Sequence, residues 1–223
     1  MMIPGDIVGL ISVYSYVAVL LVLSEKILKN RPDVSRKVLH IMVGNIAFIL
    51  PIFQTKEIMA FAAAAPFIIL TFLMSPYTPI KKIRGKTSAA GHGMGLVYYS
   101  ITWTILAYFF FDQMEIIAIG ILAMSYGDGL ASLIGIKYGK NKYNLLGDEK
   151  SYVGSIAMFV FTFILMIIAL LFYGITINFN MIILLLLISI ASSLIEGVTP
   201  KGLDNLTVPF VASLLYWYSF PLM

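Results

Sequence analysis

Apolar runs of about membrane length alternate with short charged loops along this sequence. Eight such runs can be counted, at 6–24, 38–53, 57–75, 94–111, 116–136, 152–173, 180–196 and 206–222. A transmembrane helix needs about 20 apolar residues. The runs at 38–53 and 206–222 are short for this, so a count of seven spans stays open. Charged residues make up only 12% of the chain, against about 25% in soluble domains. The pattern predicts an all-α, polytopic transmembrane helix bundle of seven or eight spans.

The basic residues predict how this bundle is oriented. Of the 15 Lys and Arg residues, 14 lie in four alternate connections. These connections are the loops at 25–37, 76–93 and 137–151 and the segment between the last two runs, which contains Lys201. The exception is Lys56. Loops rich in Lys and Arg stay on the cytoplasmic side of a membrane. We therefore expect these four connections to be cytoplasmic and both termini to be non-cytoplasmic.

The remaining composition narrows the class of protein. No hydrophilic stretch is long enough for a soluble module, so a single integral-membrane domain over 1–223 is expected. The N-terminus lacks the basic start and the small-residue cleavage site of a signal peptide. The absence of cysteine excludes disulfides, thiolate metal sites and cysteine nucleophiles.

Asp128 is the most informative single residue, because it lies inside the apolar stretch that begins near Ile116. A charge within a membrane segment costs roughly 2.5–3.5 kcal/mol on insertion scales and usually marks a functional site. Glycines flank this aspartate in GDGLASLIGIKYGK, and lysines follow it. An acid, a flexible backbone and cations suit a metal–phosphate site. The run therefore supplies candidate substrate- or nucleotide-binding residues: Gly127, Gly129, Ser132, Gly135, Lys137, Gly139 and Lys140.

The same glycines allow a structural interpretation. Small residues let membrane helices approach closely, and Gly135-x-x-x-Gly139 matches this pattern. The run is not a Walker A loop, because Asn141 follows Lys140 where Ser or Thr is required. A P-loop kinase is therefore disfavoured.

A basic motif, RKVLH, stands where the second run begins. On a helix, Arg36 and Lys37 share a face with His40, at spacings of four and three residues. Pro32 and Asp33 precede them as helix-start signals. The three side chains could hold a phosphate at the membrane surface, or they form a basic flank with an interfacial histidine.

A predicted helix start also lies in KSYVGS. Ser151 or Asp148 is the expected N-cap of this helix. Free backbone N–H groups and the positive end of the helix dipole make such a start a ready anion site. Lys150, Ser151, Gly154 and Ser155 are therefore predicted to bind phosphate, with ordinary capping as the alternative.

Two carboxylates and an amide bracket a short Gly/Pro turn in the last quarter of the chain. Glu196 ends one apolar run, and Asp204 and Asn205 begin the next. Oxygen ligands of this kind suit Mg²⁺, which is commonly shared between one or two carboxylates and substrate phosphates. A purely structural re-entrant turn is the alternative. The predicted metal ligands are Asp128, Glu196 and Asp204.

Together these groups bring carboxylates and phosphate-binding cations from several cytoplasmic loops into one small membrane protein. That combination fits phosphoryl or nucleotidyl transfer to a lipid. A carboxylate or His40 would take the proton of a lipid hydroxyl. The candidate catalytic residues are Asp128, Lys150, Asp204, Glu196 and His40.

The ordered motifs RKVLH, GDGLASLIGIKYGK, KSYVGS and Glu196 with LDNLTVP resemble those of the polyprenol kinase family. That family includes dolichol kinases, phytol and farnesol kinases and CTP-dependent diacylglycerol kinases. The resemblance covers about residues 36 to 212. It implies transfer of phosphate from CTP, with Mg²⁺, to an isoprenoid alcohol of the bilayer, without a nucleic acid partner and with the oligomeric state open.

The resemblance carries over residue by residue, with one departure. The residues that match the family's polar motif positions are Arg36, Lys37, His40, Asp128, Lys150, Ser151, Glu196, Asp204 and Asn205. The family often has Glu between the Lys–Ser pair and the following Gly–Ser, where this chain has Val153, so no base is assigned there. The short chain is more similar to phytol kinases than to the long dolichol kinases.

Two other functions stay open. A CDP-lipid synthase has a similar middle region, but its C-terminal signature is HGG followed by paired aspartates, whereas His92 and Gly93 come too early in this chain. A small ion-coupled transporter would use Asp128 and Glu196 as ion ligands. The transporter is disfavoured because the polar residues cluster at one side and no clear internal repeat exists.

Overall fold

The computed structural model describes residues 3–27, 30, 32–80, 93–146 and 148–219, except for the side chains at 25, 27, 32, 33 and 36. Helices make up most of this part of the chain. They are α1 (Pro4–Val22), α2 (Pro32–Val43), α3 (Pro66–Met74), α4 (Gly95–Phe109), α5 (Met114–Leu122), α6 (Gly129–Tyr138), α7 (Tyr152–Phe172), α8 (Phe179–Val198) and α9 (Asp204–Ser219).

Short turns of tighter or wider helix extend several of these elements. A π-helical turn, Leu23–Ile27, follows α1, and the 3₁₀ turns Gly44–Phe48 and Leu50–Ile52 follow α2. The π-helical segment Ile58–Ala64 precedes α3. A further π segment, Ala123–Asp128, joins α5 to α6 in one 25-residue helix, Met114–Tyr138.

Each predicted apolar run coincides with one of these helical stretches, and the prediction of an α-helical membrane protein is confirmed. Four of the described helices are long and apolar enough to cross a membrane: Pro4–Val22, Met114–Tyr138, Tyr152–Phe172 and Phe179–Val198. Three shorter apolar helices are Lys37–Ile52, Ile58–Met74 and Gly95–Phe109. The number of crossings and the side of the termini stay predictions.

A small β-hairpin departs from the all-α prediction. Strands β1 (Lys142–Asn144) and β2 (Glu149–Ser151) pair antiparallel, with Lys142 opposite Ser151. They lie in the predicted loop 137–151, directly before α7. Because the hairpin folds back within this loop, the end of β2 lies at the start of α7.

The helix Met114–Tyr138 lies at the centre of the bundle. Within its membrane-length window 78% of the residues are buried, against 28% in α1 and 33% in α7. The outer helices carry exposed apolar side chains such as Ile11, Leu187 and Phe179. Exposed apolar surface on this scale marks contact with lipid or with partners. The central helix is therefore shielded from the bilayer by its neighbours.

The core has two parts, one on each side of α5. Ile117, Ile121 and Leu122 pack with residues of α1, α2 and α4. Ile116 and Ile119 pack instead with residues of α7, α8 and α9. The central helix therefore links two groups of helices, one from each half of the chain.

Gly120 allows α9 to lie directly against α5. A Cβ atom at this position would lie 2.2 Å from Ser213 Oγ and 2.7 Å from the carbonyl oxygen of Pro209. The Ser213 hydroxyl uses this space to donate a hydrogen bond to the Ile116 carbonyl, 2.9 Å away. Small residues serve this purpose widely between membrane helices.

We predict that Gly120→Val separates α5 from α9 and destabilises the protein by about 1–3 kcal/mol, the usual effect of overpacking a core. The measurement is the midpoint of thermal unfolding in detergent. Leu194→Ala, at an exposed position of α8, is the control and should leave the midpoint nearly unchanged. Equal midpoints for both variants would contradict the packing role of Gly120.

Candidate active site

A cavity of about 510 Å³ opens at the end of the bundle where α6 and α8 end and α7 and α9 begin. Ligand pockets are usually between about 300 and 1,000 Å³. Most of the predicted site residues line it, from all four motifs. They are Lys37, His40, Asp128, Ser132, Gly135, Lys150, Ser151, Gly154, Ser155, Glu196, Asp204 and Asn205.

Three buried carboxylates lie in its wall. Asp128 is the last residue of the central π segment, Glu196 lies in the last turns of α8, and Asp204 begins α9. One oxygen of each lies within 4.8 Å of the others. Like charges at this separation repel, so an acid cluster of this kind needs compensating cations.

Lys150 supplies one of these cations. Strand β2 brings its ammonium into hydrogen-bond contact with Glu196 Oε1 and to 3.4 Å from Asp204 Oδ2. Burial by itself would lower the pKa of this ammonium, but the charges of Glu196, Asp128 and Asp204 outweigh burial and hold the pKa above its ordinary value. The side chain is therefore a permanent cation at physiological pH.

His40 faces the third carboxylate. Its Nε2 lies 3.5 Å from Asp128 Oδ2 and 3.3 Å from the Met124 carbonyl oxygen. Both neighbours are hydrogen-bond acceptors, so Nε2 must carry the proton. The ring also packs edge-on against Tyr99, with centroids 5.1 Å apart. The imidazole is therefore oriented to donate toward Asp128.

Asn205 adds an oxygen beside the carboxylates. Its backbone N–H and its side-chain amide both donate to Asp204 Oδ1, at 3.0 and 3.1 Å, and the amide also donates to the Gly202 carbonyl. Thr102 holds the Asn205 carbonyl at 2.8 Å. The side-chain oxygen Oδ1 is buried and has no hydrogen-bond partner among the described residues. Asn205 itself is one of the residues that line the cavity.

The N-terminus of α7 completes the opposite wall. Of the two predicted caps, Ser151 is the one observed, with Oγ accepting from the Gly154 N–H at 3.1 Å. Asp148 instead accepts from the Lys201 N–H at 2.6 Å. The Ser155 hydroxyl lies 2.7 Å from the Tyr143 hydroxyl, which ties α7 to the hairpin. The Tyr152 N–H donates to the Asn141 carbonyl at 3.3 Å, and Ser151, Gly154 and Ser155 of the helix start line the cavity.

Several glycines of the central run serve packing. A Cβ atom on Gly139 would lie 2.5 Å from Ser151 Oγ, and one on Gly127 would lie 2.4 Å from Thr162 Oγ1. Gly129 leaves room for Ile41 in the same way. These three glycines do not line the cavity, and their small size lets α6 approach α2 and α7.

The remaining predicted cations lie elsewhere or outside the described side chains. Lys137 extends over the ring of Tyr138, 5.0 Å from its centroid. Lys140 is exposed beyond α6 and does not line the cavity. The side chain of Arg36 lies outside the described residues.

Sequence reasoning missed three charged residues of the hairpin that line the cavity, Lys142, Asp148 and Glu149. Lys142 and Glu149 form an ion pair at 2.5 Å across the two strands. The sequence pair Gly147–Asp148, of a composition typical of turns, was the available signal for a hairpin. The loop was interpreted instead as a topological determinant because it is basic.

The donor set fits a divalent cation. Three clustered carboxylates and the Asn205 oxygen are hard oxygen ligands, which Mg²⁺ prefers. A single buried lysine contacts two of the three acids and cannot neutralise all of them. Asp128, Glu196 and Asp204 are therefore the residues that could hold the metal.

Comparison with known proteins identifies the family. The chain is 32% identical over 218 residues to a phytol kinase of Synechocystis sp., covering 94% of this chain and 90% of the relative. It is 31% identical to phytol kinase 1, chloroplastic, of Arabidopsis thaliana (84% and 67% covered) and 29% identical to a probable chloroplastic phytol kinase of Triticum aestivum (93% and 74%). No family model and no solved structure matches. The resemblance seen in the motifs is thereby confirmed, and the chain belongs to the polyprenol and phytol kinase family.

Proposed function

We propose that this protein transfers the terminal phosphate of CTP to the hydroxyl group of an isoprenoid alcohol in the membrane. Phytol is the first acceptor to test, because the relatives are named for it. The observation that carries the proposal is the buried cluster of three carboxylates and Lys150 at a cavity that also contains a helix N-terminus. Such a cavity suits a metal-bound triphosphate.

Mg²⁺ is the proposed cofactor, held by Asp128, Glu196 and Asp204. When bound, it would neutralise charge on the phosphates of the nucleotide. The buried Asn205 oxygen supports the same assignment, because an unpaired buried acceptor is costly without a ligand.

Lys150 and the first turn of α7 would bind the donor phosphates. The Lys150 ammonium already lies among the acids, and Ser151, Gly154 and Ser155 of the helix start line the same cavity. Lys37 lines the same cavity from α2. Fixed cations and dipoles of this kind stabilise charge that develops during phosphoryl transfer.

Asp128 is the proposed acceptor of the alcohol proton. In the reaction, the alcohol oxygen forms a bond to the terminal phosphorus, and the bond from that phosphorus to the bridging oxygen breaks, so that CDP leaves. The proton of the hydroxyl passes to the Asp128 carboxylate. His40, whose Nε2 already carries a proton, orients this carboxylate and acts as a positioning residue.

We further propose that the site lies on the cytoplasmic side of a protein with eight spans. Lys37, Lys142 and Lys150 line the cavity and come from two of the basic loops. The positive-inside rule assigns such loops to the cytoplasm, where the nucleotide is available.

The first test uses purified protein, Mg²⁺ and γ-labelled CTP with geranylgeraniol, phytol, a longer polyprenol or diacylglycerol. We expect label in a prenyl monophosphate, loss of transfer with EDTA and recovery with added Mg²⁺. Absence of transfer to every alcohol would refute the proposal. Label from α-labelled CTP in a CDP-lipid would establish a cytidylyltransferase instead.

Asp128→Asn should reduce turnover to background, because the amide can neither accept the proton nor ligate the cation as a carboxylate does. Asp112→Asn, in the exposed turn after α4, is the matched control and should retain parental activity. Folding is checked by thermal unfolding in detergent. Near-normal turnover of the Asp128 variant would remove this residue from the site.

His40→Gln should retain more activity than His40→Ala, because the glutamine amide can still donate to Asp128. We expect kcat to fall by about 10- to 100-fold in the alanine variant, as for other residues that orient a functional carboxylate. If His40 itself took the proton, both variants would lose activity equally and the acidic limb of the pH–rate profile would disappear in each.

A further inference from the structure

A second cavity lies in the half of the bundle that the proposed chemistry does not use. It is a narrow slot of about 90 Å³ between α1, α2, the helix Ile58–Met74 and α4. Leu96 and Met74 line one end, and Phe53, Met59 and Ala107 line the other. Leu96 and Ala107 are both on α4, so the slot extends about 16 Å along the bundle axis. That is roughly half of the hydrocarbon thickness of a bilayer.

The slot presents an apolar surface. Its three hydroxyl-bearing lining residues on α3 and α4 already have hydrogen-bond partners, and the Tyr99 hydroxyl lies 2.8 Å from Ser125 Oγ. Thr71 donates to the Phe67 carbonyl at 2.6 Å, and Ser100 donates to the Leu96 carbonyl at 3.0 Å. Among the described residues, the buried Trp103 Nε1 is a lining donor without a hydrogen-bond partner. A cavity with so few polar partners does not hold water well and suits hydrocarbon instead.

The slot and the polar cavity share two wall residues, His40 and Leu96. His40 is the same side chain whose Nε2 faces Asp128 at 3.5 Å. A molecule with its chain in the slot and one polar end beside His40 would therefore present that end to the carboxylates. The arrangement matches a long alcohol in both shape and polarity.

The slot is also accessible to a lipid from the side. On its outer edge, Tyr14 of α1 donates to the Ala62 carbonyl at 2.6 Å and stacks on Phe67, which joins the two helices at that level. Nearer the polar cavity, Leu70 is 39% exposed and Leu21 is half-buried. A chain could enter between α1 and α3 at this level.

We infer that this slot binds the hydrocarbon chain of the acceptor and selects single-chain alcohols over lipids with two chains. The inference rests on the proposed function for the identity of the polar end. With about 90 Å³ of free volume, the slot must widen by side-chain movement to admit one hydrocarbon chain. We therefore expect a pair of acyl chains, as in diacylglycerol, to be rejected. The far wall at Phe53, Met59 and Ala107 limits the chain length that fits without bending.

Trp103 allows binding to be measured without turnover. It lines the slot and is 6% exposed, whereas Trp217, the other tryptophan of the chain, is 47% exposed. In a Trp217→Phe variant, a fatty alcohol brominated near the chain end should quench Trp103 fluorescence saturably, and geranylgeraniol should reverse this. Brominated phosphatidylcholine should quench Trp217 in the matched Trp103→Phe variant. In the Trp217→Phe variant, the same phospholipid should leave Trp103 fluorescence unquenched. Equal quenching of Trp103 by the phospholipid would overturn the inference.

A substitution at the far wall tests selection by length. Ala107→Leu should lower the ratio of geranylgeraniol to geraniol turnover about tenfold, because a group of this size matters on that scale in an apolar pocket. Val19→Leu, on an exposed face of α1, should not change the ratio. Ala63→Val in the slot wall replaces the first variant if that one does not fold.

The outcomes separate the two proposals. An unchanged ratio in a folded slot variant refutes the slot as the chain site while the kinase activity stands. If the parent chain transfers phosphate to no alcohol, the proposed function fails, and Trp103 quenching still decides whether the slot binds a single hydrocarbon chain.

Discussion

The contact of Lys150 with buried carboxylates holds the polar end of this bundle together. The lysine comes from the hairpin, Glu196 from the end of α8 and Asp204 from the start of α9. Removing one partner of a buried ion pair usually costs about 3–5 kcal/mol, because the other charge stays buried and uncompensated. The Lys150 ammonium and the carboxylates hold these three elements together. In the proposed reaction, the same ammonium would pair with a phosphate and the same carboxylates would bind a cation.

Small residues make this arrangement sterically possible. The Ser151 cap of α7 fits against Gly139 and Gly135 of α6, where a side chain would collide with its hydroxyl. The helix N-terminus therefore lies beside Gly135 and Gly139, in the wall of the cavity. Gly127, Gly129 and Gly139 of the run serve packing, whereas Ser132 and Gly135 line the cavity, and their binding role stays a prediction.

The two sides of the central helix have different tasks in the proposed enzyme. The central helix, α8 and α9 supply the acids, the start of α7 supplies the proposed anion site, and α1 to α4 enclose the apolar slot. His40 lies where the two cavities meet. In the proposed reaction, a water-soluble nucleotide and a membrane-soluble alcohol would thus approach one reaction centre from different solvents.

The sequence by itself determined the helical membrane class, the family and most of the cavity wall. Long apolar runs, an aspartate inside one of them and four polar motifs are local features of the sequence. Each can therefore be recognised without knowledge of the tertiary structure. The tertiary structure decided how the motifs combine. No local pattern shows that Lys150 contacts Glu196, 46 residues away, that the charged loop forms a hairpin, or that Gly127, Gly129 and Gly139 only pack. The apolar slot is also invisible in the sequence, because its lining residues look like any other membrane core until four helices leave space between them.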